Sequence, residues 1–145
     1  MAADPAFIDT NVLVYISRPV SPGHARARIA LGQLEKDGAP LWISRQVMRE
    51  YLAVVTRPQV TAPPLAMASA VGDVRRFRSS FQVAEDGAPV LDRLLFLLDR
   101  YPGAGKQVHD TNIVATMVEH GLLTFNTADF RRFSGVIELE PLPVP

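Results

Sequence analysis

Ala6-Phe7-Ile8-Asp9-Thr10-Asn11-Val12-Leu13 is the stretch that decides how the rest of the chain is read. A short apolar run ending in an acid predicts a first strand over Ala6 to Asp9. Asn11 to Ile16 then opens a short helix, which Arg18-Pro19 stops because a residue before proline avoids helical backbone. Ser21-Pro22-Gly23 starts a second helix that runs to about Lys36 and ends at Asp37-Gly38. Leu41-Trp42-Ile43 is a second apolar strand, and Ser44 is the N-cap of an amphipathic helix reaching Thr56. Helices follow at Leu65 to Ser80 and Ala88 to Tyr101, with a strand at Phe81-Gln82-Val83 between them. Pro102 to Lys106 reads as a loop and Asp110 to His120 as a helix closed by Gly121. The pattern ends with a strand at Leu122 to Phe125, a short helix at Thr127 to Phe133 and a last strand at Val136 to Leu139.

Strands alternate with helices, and the strands are short and apolar throughout. That pattern predicts a three-layer α/β/α fold, with a short parallel sheet covered by helices on both faces. In such sheets functional groups gather beyond the carboxyl ends of the strands. Residues 1–140 are expected to form one domain, followed by a proline-rich tail over 141–145.

Bulk properties narrow the chemistry. With 145 residues and 48% hydrophobic content, the chain can bury a core without cross-links. It has no cysteine, which excludes thiolate chemistry and sulfur-ligated zinc. No long uncharged apolar run suggests a membrane span, and Met1 to Pro5 does not resemble a secretory signal, so a cytoplasmic location is expected. Fifteen acids balance fifteen bases, so any polyanionic substrate must be held by a local patch or a bound metal.

Four acids fall where the sheet rule directs attention. Asp9 ends the first strand, where a partly desolvated carboxylate needs a cation or N–H partners; its plain alternative is a helix N-cap. Glu50 lies on the rim of the arc formed by Val47, Met48, Tyr51, Leu52, Val54 and Val55, about 40° from Val54. There it is expected to be solvated or paired with Arg49 or Arg57. Asp110 opens its helix, a position the helix dipole alone would explain. His109, just before it, is read as structural or solvated. Asn126 and Asp129 follow the strand ending at Phe125, where either Asn126 or Thr127 is a possible cap. Each acid has an ordinary explanation, but none of these explanations predicts their joint placement at one sheet edge. Several carboxylates in one crevice repel each other unless a cation neutralises them, and hard oxygen donors without sulfur point to Mg²⁺ or Mn²⁺.

In this order the segments resemble the PIN-domain nucleases, and within them the toxins of toxin–antitoxin pairs of the VapC kind. The resemblance rests on Phe7-Ile8-Asp9-Thr10-Asn11-Val12-Leu13, Gln46-Val47-Met48-Arg49-Glu50-Tyr51, Asp110-Thr111-Asn112-Ile113-Val114-Ala115 and Thr124-Phe125-Asn126-Thr127-Ala128-Asp129-Phe130. It spans Phe7 to about Leu139, with the first and last segments the most specific. It implies a flavodoxin-like sheet of about five parallel strands and an Mg²⁺- or Mn²⁺-dependent endoribonuclease. Asp9, Glu50, Asp110 and Asp129 would then be catalytic and metal-binding, supported by Thr10, Thr124 and Asn126. It further implies an RNA substrate, a homodimer and a small cognate antitoxin. Some members carry an aspartate where Asn126 stands, so the fourth role passes here to Asp129. Arg45, Arg49, Lys106 and Arg131 are candidates for phosphate contacts, with Arg132 beside the last.

Four other readings are weaker. A phosphatase-like domain using Asp9 wants a second aspartate where Asn11 stands, and a receiver domain wants paired acids before the strand's end. Gly103-Ala104-Gly105-Lys106 lacks a preceding strand and a following Ser or Thr, so it is not a phosphate loop. A PIN-like module that only binds a partner would keep a costly acid cluster without using it.

Overall fold

The computed structural model describes residues 3–60, 62–124, 130–133 and 135–136. Ala6–Phe7 forms β1, with both side chains fully buried. It leads directly into α1 (Thr10–Ser17), followed by α2 (His24–Lys36) and β2 (Leu41–Ser44). Next come α3 (Arg45–Val55), α4 (Met67–Ser80), β3 (Gln82–Ala84) and α5 (Ala88–Arg100). The long α6 (Lys106–His120) precedes β4 (Leu123–Thr124), and Arg131–Phe133 forms a short 3₁₀ turn.

The strands form one parallel sheet in the order β3-β2-β1-β4. Ala6 and Phe7 pair with Leu41 and Trp42 on one side and with Leu123 and Thr124 on the other. The chain therefore steps outward from β1 through β2 to β3, then returns to place β4 on the opposite side. Right-handed crossovers consequently put α1 to α4 on one face and α5 and α6 on the other. The packing agrees: α1 packs on α2 and α3, α3 packs on α4, and α5 packs on α6. The reversal of strand order falls between β1 and β4, and in open parallel sheets that switch point opens a crevice beyond the carboxyl ends.

Local signals explain most boundaries. The Ser44 hydroxyl accepts from the Val47 amide and caps α3. Gly121 ends α6 in left-handed backbone at φ 65, where a side chain would be strained. Two helix starts differ from expectation. Leu65 does not join α4, because its amide is bonded to the Val55 carbonyl at 2.7 Å and ties the loop back to α3. And α6 starts at Lys106, one turn before Asp110, after Gly105 at φ 58. There the Gln107 side chain accepts from the Ala104 amide, in the loop before the helix.

Among the described residues the sheet has four strands. The expected fifth, over 136–139, lies outside them except for Val136, which sits in a turn. The helix expected from Thr127 is described only from Phe130, and the 141–145 tail not at all.

The core runs along the sheet and its helices. Phe7, Ile8, Leu13, Ile43, Val47, Tyr51, Ile113 and Met117 are essentially inaccessible. Each such large apolar side chain contributes about 1.5–3 kcal/mol on burial. Thr111 and every residue from Ile113 to Met117 are buried, so the middle of α6 is enclosed on almost all sides.

Candidate metal centre

Asp9 follows β1 at the switch point and is only 4% exposed. It occupies the N-cap position of α1 with extended backbone, yet its side chain makes no capping hydrogen bond. The plain explanation of this acid as a cap is therefore not realised. Thr10, also buried, begins α1 and donates from Oγ1 to Glu50 Oε2 at 2.8 Å. This bond joins the residue after the first acid to the acid of α3.

Glu50 is neither freely solvated nor paired with Arg49 or Arg57 as expected. Its second oxygen, Oε1, accepts from Gln46 Nε2 at 2.9 Å, one helical turn earlier. The same Gln46 nitrogen donates to the backbone carbonyl of His109 at 2.9 Å, on α6. Gln46 Oε1 accepts from Asn112 Nδ2 at 2.7 Å, and Asn112 also donates to Asp86 Oδ2 at 3.0 Å. Continuous polar contacts thus link Thr10, Glu50, Gln46 and the start of α6, where Asp110 stands. Reading the sequence missed Gln46 and Asn112 as members of the site. Their spacing from Glu50 and Asp110, four and two positions, was the only local signal.

Asp110 lies in the second turn of α6, so the expectation that it opens the helix is corrected and the first-turn dipole explanation weakens. It is mostly buried, at 17% side-chain exposure, and Lys106 Nζ lies 3.1 Å from both its oxygens. Lys106, a candidate for phosphate contact, is thus held on the third acid. Arg45, another candidate, bridges Glu85 at 2.6 Å on the surface. That guanidinium holds the Glu85 carboxyl below its usual range, and Arg45 is raised in turn. Arg49 and Arg131 are exposed. Thr124 is fully buried in β4 beside Phe7. His109 presents its backbone carbonyl, not its ring, to the network.

Asp129 and Asn126 lie outside the described residues. Among the described residues, no three Asp, Glu or His side chains gather closely enough to hold an ion. No described helix is long and apolar enough to cross a membrane.

Comparison with known proteins agrees with this architecture. The PIN-domain family model matches residues 6–137. The chain is 31% identical to Ribonuclease VapC48 of Mycobacterium tuberculosis over 140 residues, covering 92% of this chain and 94% of that one. Among solved structures it is similar to Mycobacterium tuberculosis VapC20, described as a Sarcin-Ricin loop cleaving toxin. There the TM-score is 0.67 at 18% identity, covering 96% of this chain and 100% of that one. It is also similar to VapBC2 from Rickettsia felis bound to a DNA fragment from their promoter, with a TM-score of 0.69 at 16% identity. That match covers 97% of this chain and 100% of the other.

Proposed function

The chain belongs to the PIN-domain family, and from that premise we propose that it is a metal-dependent endoribonuclease, the toxin of a toxin–antitoxin pair. The observation that carries this reading is the hydrogen-bonded network beyond β1. Asp9 follows that strand, Thr10 and Gln46 bind the two oxygens of Glu50, and Gln46 reaches on to the His109 carbonyl of α6. Asp110 stands on the neighbouring turn of α6.

The donor chemistry fits a hard divalent cation, because Asp9, Glu50 and Asp110 offer only oxygen and the chain has no cysteine. A shell of three or more acids also requires Asp129, since the described acids alone do not form one. Either Mg²⁺ or Mn²⁺ suits these donors. When bound, the ion lowers the pKa of a coordinated water and offsets charge on the phosphodiester.

The protein's own groups prepare the crevice for that chemistry. Thr10 and Gln46 fix both oxygens of Glu50, so this carboxylate does not have to be ordered on binding. Lys106 neutralises Asp110 and competes with any cation for it. Arg49 and Arg131 are free to meet phosphates, which the acids alone would repel.

The neighbour from Rickettsia felis is VapBC2 bound to a DNA fragment from their promoter, and another neighbour is a toxin–antitoxin complex from Klebsiella pneumoniae. We extend to this chain a small protein antitoxin, a homodimer and a cytoplasmic site of action. Purified protein should cleave RNA internally with Mg²⁺ or Mn²⁺, stop on chelation, and be inhibited by the product of an adjacent short reading frame. Chelator-resistant cleavage, or none with any RNA, would remove the reading.

A further inference from the structure

We propose that Gln46 is a positioning residue, the clamp that holds the Glu50 carboxylate and the Asp110-bearing turn of α6 in fixed relation. The proposal rests on the reading of the crevice as a divalent-cation site and deepens it.

Gln46 is only 7% exposed, although it is a polar residue in the first turn of a helix. Its carboxamide is fully used. Nε2 donates to Glu50 Oε1 and to the His109 carbonyl, each at 2.9 Å, while Oε1 accepts from Asn112 Nδ2 at 2.7 Å. These partners fix the orientation of the amide. Both groups facing the nitrogen are acceptors, and the group facing the oxygen is a donor, so a flipped amide would oppose like with like. Two of the three bonds cross from α3 to α6, over 63 and 66 positions of chain.

The geometry has a specific consequence. Glu50 Oε2 is held by Thr10, which follows Asp9, and Glu50 Oε1 is held by Gln46, which also grips the residues on either side of Asp110. Gln46 therefore ties Glu50 to the turn of α6 that bears Asp110, and Thr10 ties Glu50 to the residue after Asp9. Asn112 passes the restraint on to Asp86, in the loop before α5. Removing the clamp frees Glu50 to turn towards water and lets the α6 turn relax. Neither change touches an acid.

The test is Mn²⁺ titration calorimetry on the full-length protein and on Gln46→Met, which preserves length but makes no hydrogen bond. The expected result is an affinity at least about tenfold weaker, with Glu50 turned off Thr10 in the variant's crystal structure. Asn112→Leu, which removes only the donor to Oε1, should shift affinity the same way by a smaller factor, and serves if Gln46→Met does not fold. Tyr51→Phe, a buried change whose lost hydroxyl bonds Asp73 and no member of the network, should bind Mn²⁺ like the parent protein, which separates positioning from general loss of stability. If the parent binds Mn²⁺ and both variants match it within twofold, the clamp is overturned while the nuclease reading stands. If the parent binds no divalent cation, the reading of the crevice fails and the clamp falls with it.

Discussion

Thr10 Oγ1 and Glu50 Oε2 meet at 2.8 Å across 40 positions of chain, joining the start of α1 to the middle of α3. The bond ties a carboxylate of one helix to the residue that follows Asp9. Replacing Thr10 with Val keeps the shape and removes the donor. The half-buried acceptor loses its partner, at a cost of about 1–3 kcal/mol, and Glu50 loses its orientation. Metal-dependent RNA cleavage should fall by about tenfold or more, with a modest drop in melting temperature. A parent-like rate in Thr10→Val would show that Glu50 does not need this bond to act.

Lys106 grips both oxygens of Asp110 from one turn earlier, but its own side chain is 77% exposed. Exposed pairs of this kind contribute at most about 1 kcal/mol, so Lys106→Met should scarcely change the melting temperature. Divalent-cation affinity should rise, because a competing cation has been taken from the third acid. Calorimetry with Mn²⁺ decides the point. Weaker binding in the variant would mean that Lys106 supports the ion instead of competing with it.

Arg49 and Arg131 are exposed, whereas Arg45 is held by Glu85. Arg49→Gln or Arg131→Gln should raise KM for RNA, leave kcat near its parent value and flatten the salt dependence of binding. Each neutralised phosphate contact lowers the log–log salt slope by roughly one. Arg45→Gln should do less. An unchanged salt slope in all three variants would place the RNA elsewhere.

Tyr51 is fully buried, and its hydroxyl donates to Asp73 Oδ2 at 2.6 Å. Burial first, and the Asp73 bond second, push its pKa up to about 12. The unfolded phenol titrates near pH 10, so the folded state keeps its proton longer. The resulting stability is complete below pH 10 and is lost between about pH 10 and 12, at roughly 1.4 kcal/mol per pH unit. Chemical denaturation of the parent should show this slope, and Tyr51→Phe should lack the share due to this group. Identical alkaline profiles would contradict the assignment.

Much of the fold was legible because its signals are local. The run Ala6-Phe7-Ile8 ending in Asp9, the cap at Ser44 and the glycine at position 121 each act within a few residues, and the structure places β1, α3 and the end of α6 accordingly. The start of α6 was not legible. No acid or small polar residue announces it, and its N-cap is Gly105, at φ 58, with no side-chain cap. Within the site, Asp9 is marked by its position after a buried strand, and its place at the sheet edge followed from that. Gln46 carries no such mark, because its partners in α6 lie 63 and 66 residues away and exist only once the two helices meet. The environment of Glu50 was misjudged for the same reason. Helical periodicity puts it on a rim but does not show that Thr10 waits there.

Asp9, Glu50, Asp110 and Asp129 are proposed to share one divalent ion, and the anomalous signal from a crystal grown with Mn²⁺ is the decisive test. A peak is expected beyond the carboxyl ends of β1 and β4, within coordination distance of Asp9, Asp110 and Asp129, with Lys106 moved off Asp110. Crystals that show no peak there, with Lys106 still on Asp110 and Asp129 directed away from Asp9, would contradict it.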